Sequence, residues 1–277
     1  MKALGLVDGW PAERVAVGVA SAQGTLFVHG SAGEFRWASV TKPVTALACL
    51  VAAEEGVLDL DEPAGPPGST VRHLLAHASG LPFDAGPPIA RPGARRIYSE
   101  YGFGVLGEAL AARAEMPFAE YLRVAVLEPL GLGARLDGKP GSGLWGTLAD
   151  LLAVARELLA PTLIAPETFA EATSVQFPGL AGVLPGIGRQ SPNDWGLGVE
   201  IRDHKSPHWT GSRNSERTFG HFGRSGTFLW VDREAGLALG ALTDLAFGDW
   251  AIDAWPRLAD AVLAEAAVSP GQTQGHG

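Results

Sequence analysis

Apolar positions along the chain follow two periods, and the two periods occupy different stretches. Near the N-terminus, "RVAVGVA" (14–20) and "GTLFVHG" (24–30) are short β-rich runs joined by a Gly-containing turn, which predicts a hairpin. An apolar helical run starts at Ser39, with Pro43 tolerated in its first turn and Gly56 as a stop after Glu54 and Glu55. Helical patterns then dominate from about 70 to 175, in "TVRHLLAH", "YGFGVLGEALAARAE", "PFAEYLRVAVLEPLG" and "TLADLLAVARELLA". Strand signals return in "WGLGVEIRD" (195–203), "RTFGHFG" (217–223), "GTFLWVD" (226–232) and "GLALGALTD" (236–244). A last amphipathic helix is expected in "WAIDAWPRLADAVLAEAAV".

Strands at both ends with helices between them predict an α+β fold. One antiparallel sheet is built from both ends of the chain and flanked by helices, with an all-helical insertion lobe. The expected organisation is a single domain over 1–267, its sheet lobe from about 1–60 and 190–267 and its helical lobe from about 61–189. The polar, Gly-rich "VSPGQTQGHG" (268–277) is expected to be a disordered tail. A site belongs in the cleft between the lobes.

Composition narrows the class. With 277 residues, 46% of them hydrophobic, the chain can bury a large core. A formal net charge of −9 argues against a nucleic-acid or anionic-membrane partner, whose phosphates such a surface repels. The basic run "RPGARR" (91–96) is too short to overturn that. Cys49 is the one cysteine, so no disulfide framework or cysteine metal site forms within the chain. The apolar run in "MKALGLVDGWPAERV" is too short for a signal peptide, and no later stretch approaches a membrane span. A cytoplasmic location is the expectation.

Within "RWASVTKPVTALACL" (36–50), Ser39 and Lys42 stand three positions apart, nearly one helical turn, so hydroxyl and amine share a face. A serine hydroxyl is a poor nucleophile until a neighbouring base removes its proton, and Lys42 is placed to do so. One S-x-x-K is a short pattern that does not settle the matter alone. Other motifs lead nowhere. "GFGVLG" (102–107) satisfies G-x-G-x-x-G but follows no buried strand, and "GARLDGKP" (133–140) imitates a phosphate loop until Pro140 replaces the magnesium-binding Ser or Thr. His73 and His77 are four apart without a third ligand at metal-binding spacing. No cofactor or metal is called for.

Five ordered blocks carry a family resemblance: "FRWASVTKPVTALACLVAAEEGVLDLDEP", "TVRHLLAHASGLP", "RIYSEYGFGVLGEAL", "GLWGTLADLLAVA" and "FGHFGRSGTFLWVDREAGLALGALTD". Together the chain resembles serine hydrolases of the class C β-lactamase and penicillin-binding-protein-like family. The resemblance implies the β-lactamase/transpeptidase-like fold and three motifs, met here by Ser39-Val40-Thr41-Lys42, Tyr98-Ser99-Glu100 and His221-Phe222-Gly223. Ser39 would be the nucleophile, with Lys42 and Tyr98 one coupled base. His221 would line the opposite wall and bond the Tyr98 oxygen or a substrate carboxylate. Gly223 would let substrate lie against its strand, and the N–H groups of Ser39 and Arg224 would form the oxyanion hole.

Glu100 departs from the family pattern, which has Asn there. It either faces the site and pairs with Lys42 or points outward toward Arg95 or Arg96. The implied function is hydrolysis of small-molecule esters or amides through an acyl-enzyme. A β-lactamase or D,D-peptidase is the alternative within the enzyme class, and an inactive ligand- or partner-binding homologue the alternative outside it.

Overall fold

The computed structural model describes residues 1–268. It places strands β1 (Val15–Ser21), β2 (Gly24–Gly30) and β3 (Phe35–Arg36) and helix α1 (Thr41–Glu54) ahead of a helix-rich middle. That middle holds α2 (Val71–Leu75), α3 (Glu100–Ala114), α4 (Phe118–Leu122), β4 (Arg135–Leu136), β5 (Leu144–Gly146), α5 (Leu148–Leu159) and α6 (Pro166–Ala172). The hairpin β6 (Gly182–Leu184) and β7 (Gly188–Gln190) follows. The chain returns to the main sheet in β8 (Glu200–Ile201), β9 (Phe219–Gly223), β10 (Thr227–Asp232) and β11 (Leu237–Thr243), and α7 (Asp249–Val268) closes it. Beyond Val268 the expected disordered tail lies outside the described residues.

Both ends of the chain build one antiparallel sheet in the order β2-β1-β11-β10-β9-β8. Its period-two pattern sorts side chains to two covered faces. Val15, Val17 and Val19 of β1 pack with Trp255, Leu258 and Val262 of α7, while Ala16 and Ala20 belong to the core shared with α1 and α5. Gly18 and Gly240 face each other across β1 and β11. A Cβ on either would come within 2.6–2.8 Å of Leu152 or Leu151, so this glycine pair is the seat on which α5 rests.

The expected α+β architecture is present, with three local departures from the sequence reading. The helix expected from Ser39 begins at Thr41, because Ala38–Val40 form a 3-10 turn first. The strand expected over 195–203 shrinks to Glu200–Ile201. Gly198 has a φ of +77°, and a Cβ there would lie 2.3 Å from the Ala46 Cβ, so this stretch bends to meet α1 instead of extending. The middle segment is also not purely helical, since β3, β5 and β4 pair into a small sheet and β6 with β7 into a hairpin. These strands are two or three residues long, too short for an alternating pattern to show. Among the described residues, no helix is long and apolar enough to cross a membrane.

Candidate active site

Ser39 sits in the 3-10 turn between β3 and α1, at the wall of a cavity of about 800 Å³. Its predecessor Ala38 has a φ of +46°, a left-handed conformation costly for a residue with a Cβ. Surrounding contacts hold the turn there. Thr227 donates its hydroxyl to the Trp37 carbonyl at 2.9 Å, and Ser225 donates to the Arg36 carbonyl at 2.8 Å. Gly223 makes this approach possible, for a Cβ on it would lie 2.6 Å from the Trp37 carbonyl oxygen and 3.0 Å from the Ala38 Cβ. The glycine therefore admits the serine turn of this same chain, whereas the sequence suggested that it makes room for substrate.

One turn into α1, Lys42 is fully buried and its three N–H groups have three directions. Nζ donates to Glu100 Oε2 at 2.5 Å, to the Gly141 carbonyl at 3.0 Å and to Ser39 Oγ at 3.4 Å. Glu100 thus faces the site; the outward orientation does not occur. Burial alone would raise its pKa, and the Lys42 ammonium with the Ser142 hydroxyl outweighs that, leaving the carboxyl below its ordinary value. Ser142 donates to Glu100 Oε1 at 2.7 Å. Gly141 has to be glycine, since a Cβ would lie 2.8–2.9 Å from both Glu100 carboxylate oxygens.

Sequence reasoning missed the segment 139–143, which covers the Lys42–Glu100 pair. The signal was present, because Gly141 and Gly143 flank Ser142, and clustered glycines mark close backbone approach. Reading "GARLDGKP" only as a failed phosphate loop hid it.

Tyr98 lines the same cavity, its ring centroid 4.9 Å from Lys42 Nζ. Its ring packs against His77 at 4.5 Å, Trp195 at 5.8 Å and His221 at 5.7 Å. The phenol oxygen has no hydrogen-bond partner among the described residues, so it is left to the cavity. His77 buttresses this ring from a left-handed backbone position, φ +54°, and its Nδ1 accepts the Ser99 N–H at 3.2 Å. This is a packing role, distinct from His73, whose ring contacts Phe177 and Thr70.

His221 also borders the cavity. Its Nδ1 donates to the Phe222 carbonyl at 2.7 Å, so Nε2 carries a lone pair, and that atom has no partner among the described residues. Burial, reinforced by the Lys42 charge, pushes its pKa down to about 3, which keeps the ring neutral. A neutral acceptor suits a hydroxyl or N–H, not the carboxylate that the sequence reading offered it. No hydrogen bond to Tyr98 is formed. Arg224 follows Gly223 at the cavity wall, with its side chain exposed.

This arrangement can be set against known proteins. A structure described as a beta-lactamase from Mycobacterium bovis is 57% identical, superposes with a TM-score of 0.94, and is covered over 99% of its length by 95% of this chain. Esterase EstB of Burkholderia gladioli is 24% identical over 328 residues, spanning 83% of this chain and 82% of EstB. EstCE1, described as a hydrolase with promiscuous acyltransferase activity, shares the fold at 19% identity and a TM-score of 0.77 over 95% of this chain and 97% of its own. The sequence model of the family described as Beta-lactamase matches residues 3–135 and 132–263, spanning the serine turn, the Tyr98 segment and the His221 strand alike. The chain belongs to the beta-lactamase family.

Proposed function

We propose that this chain is a serine hydrolase that cleaves small-molecule esters or amides through an acyl-enzyme on Ser39. The observation that carries this reading is the third N–H of Lys42, which reaches past Glu100 and Gly141 to the Ser39 hydroxyl at the cavity wall. With Glu100 at 2.5 Å, Lys42 serves as a fixed ammonium. It stabilises negative charge developing on Ser39 Oγ. The base role then falls to Tyr98, whose phenol faces the cavity beside that ammonium.

In this scheme Tyr98 as phenolate takes the Ser39 proton while Oγ bonds to the substrate carbonyl carbon. The N–H groups of Ser39 and Arg224 receive the oxyanion. Tyr98 returns the proton to the departing alcohol or amine as the carbon–heteroatom bond breaks. A water attacks the acyl-enzyme as Tyr98 takes its proton, and Tyr98 then passes that proton to Ser39 Oγ as the acyl–oxygen bond breaks, freeing the acid and the serine. In this reading the chemistry draws on the chain's own side chains and backbone N–H groups together with water, in a cytoplasmic setting. Ser39→Ala should abolish hydrolysis of a p-nitrophenyl ester and labelling by a serine-directed phosphonate, with the melting temperature nearly unchanged. Wild-type activity in that variant would place the chemistry elsewhere.

A second reading, β-lactam hydrolysis, is favoured by the description of the 57% identical relative. Glu100 weighs against it, because an ionised carboxylate can only accept hydrogen bonds, whereas the Asn of the family pattern can also donate to a substrate carbonyl. The wild-type enzyme should prefer simple esters to nitrocefin in kcat/KM, and Glu100→Asn should shift the ratio toward nitrocefin. A wild type already fast on nitrocefin would favour the second reading.

A further inference from the structure

The cavity at Ser39 is lopsided in charge. Its lining includes Arg95, Arg96, Arg189 and Arg224 and a single carboxylate, Glu200. Two of these are internally satisfied. Arg96 donates to the carbonyls of Asn193, Ala76 and Gln176, and Glu200 is bonded by Lys205, His208 and Trp209.

The other three guanidinium groups are exposed, and among the described residues none is paired with a carboxylate. Arg95 donates only to the Ile89 carbonyl, at 3.2 Å. They reach the cavity from three separate segments: Arg95 from the loop before Tyr98, Arg189 from β7 and Arg224 from the β9–β10 turn. In a chain with 30 acidic against 21 basic residues, three arginines around one opening that form no ion pair among the described residues mark a place for a negative group from outside. The wall between them and Ser39 is apolar, formed by Phe83, Ile89, Ile97, Val183, Leu184 and Trp195. Since His221 is a neutral acceptor, it does not supply the missing positive charge.

We propose that this site takes an anionic amphiphile. The ester or amide bond lies at Ser39, an apolar chain runs along Phe83, Val183 and Trp195, and a terminal oxyacid, carboxylate or phosphate, is held by Arg95, Arg189 and the Arg224 side chain. The planar guanidinium fork matches either oxyacid. The proposal deepens the hydrolase reading above and rests on it for the position of the scissile bond.

Two measurements separate the failure of one from the failure of the other. The first compares kcat/KM for mono-p-nitrophenyl adipate, which ends in a carboxylate, with its methyl ester, a neutral twin of the same chain. At low salt the anion should be favoured at least ~10-fold. That ratio should collapse toward one in Arg95→Ala/Arg189→Ala and in high salt, but persist in Arg217→Ala, a change to an exposed arginine outside the cavity. A ratio near one in the wild type, or one untouched by the double substitution, overturns the proposal.

The second is calorimetric and needs no turnover: octanoate, octyl phosphate and octanamide are titrated into Ser39→Ala. Either anion should bind at least ~10-fold more tightly than the amide, and the tighter of the two identifies the oxyacid. Equal binding of all three, or none, overturns the proposal even if esters are hydrolysed. Tight anion binding without hydrolysis or serine labelling in the wild type would sink the hydrolase reading and leave the anion site standing.

Discussion

Among the described residues the protein buries two lysine–glutamate pairs, and they differ in what is left over. In the Lys205–Glu200 pair, the ammonium also donates to the Asp194 carbonyl at 2.7 Å and the Ile201 carbonyl at 2.6 Å. Glu200 in turn accepts from His208 Nε2 at 2.9 Å and Trp209 Nε1 at 3.0 Å. Every donor of the lysine is bonded to protein. In the Lys42–Glu100 pair two donors are bonded closely, while the third makes only the long 3.4 Å contact to a hydroxyl at a cavity wall. A buried ion pair is thus no mark of chemistry by itself. The mark is a charge held in place with one direction still open.

Exchanging the fates of the two lysines is the most severe way to break this comparison. Lys42→Ala should lower kcat/KM for a p-nitrophenyl ester by at least ~10²-fold. Lys205→Met should leave kcat/KM of the folded protein within a few-fold of wild type but lower the unfolding free energy by about 3–5 kcal/mol, the usual cost of leaving one partner of a buried pair alone. Urea titration beside steady-state kinetics reads both. Loss of activity in folded Lys205→Met would erase the distinction.

A comparable effect is expected from Tyr98→Phe, which removes the phenol and keeps the ring packed on His77. The ester acylation rate should fall ~10²-fold, and the Lys42→Ala/Tyr98→Phe double variant should be little worse than either single one, as for groups that act as a unit. Stopped-flow acylation checks this; multiplicative losses would mean independent roles.

The smallest effect is on stability against pH, and it sets buried histidines beside the buried carboxylate. His221, folded pKa about 3, and His77, well below its ordinary value through burial, take up protons more readily when unfolded. Both should therefore take stability away progressively as pH falls below ~6.5. Glu200, brought down to about 2 because His208 and Lys205 outweigh its burial, stabilises fully above its unfolded value and loses that contribution only as pH falls from ~4.3 toward 2. Denaturation at pH 7.5, 5.5 and 4.0 should show stability falling already across the first interval. A flat profile down to pH 4.5 would mean that the histidines are not held neutral.

What the sequence made legible follows from which contacts are local. The alternation in 14–20 and 236–244 disclosed two strands, and Ser39 with Lys42 disclosed their own proximity because one helical turn separates them. The direction of Glu100 was not legible. It depends on Lys42, 58 residues away, and on a loop whose fit to the carboxylate requires Gly141. The Glu200 cluster escaped for the same reason in reverse. His204 and His208 are four apart, yet His208 serves a carboxylate on β8 and His204 pairs at the surface with Glu216. Arg95 lay in a short basic run and Arg189 in no motif, and only the cavity relates them.

The sheet that begins with β1 and is completed by β11 also fixes when the protein can form. Val15 pairs with Thr243, about 230 residues later, so β1 and β2 leave the ribosome long before their partner exists. At ~5–20 residues per second, that interval lasts roughly 10–45 s. Throughout it, the valine face that α7 will cover stays open to water and to other nascent chains. Synthesis therefore makes this strand well before the strand that pairs with it and the helix that covers it.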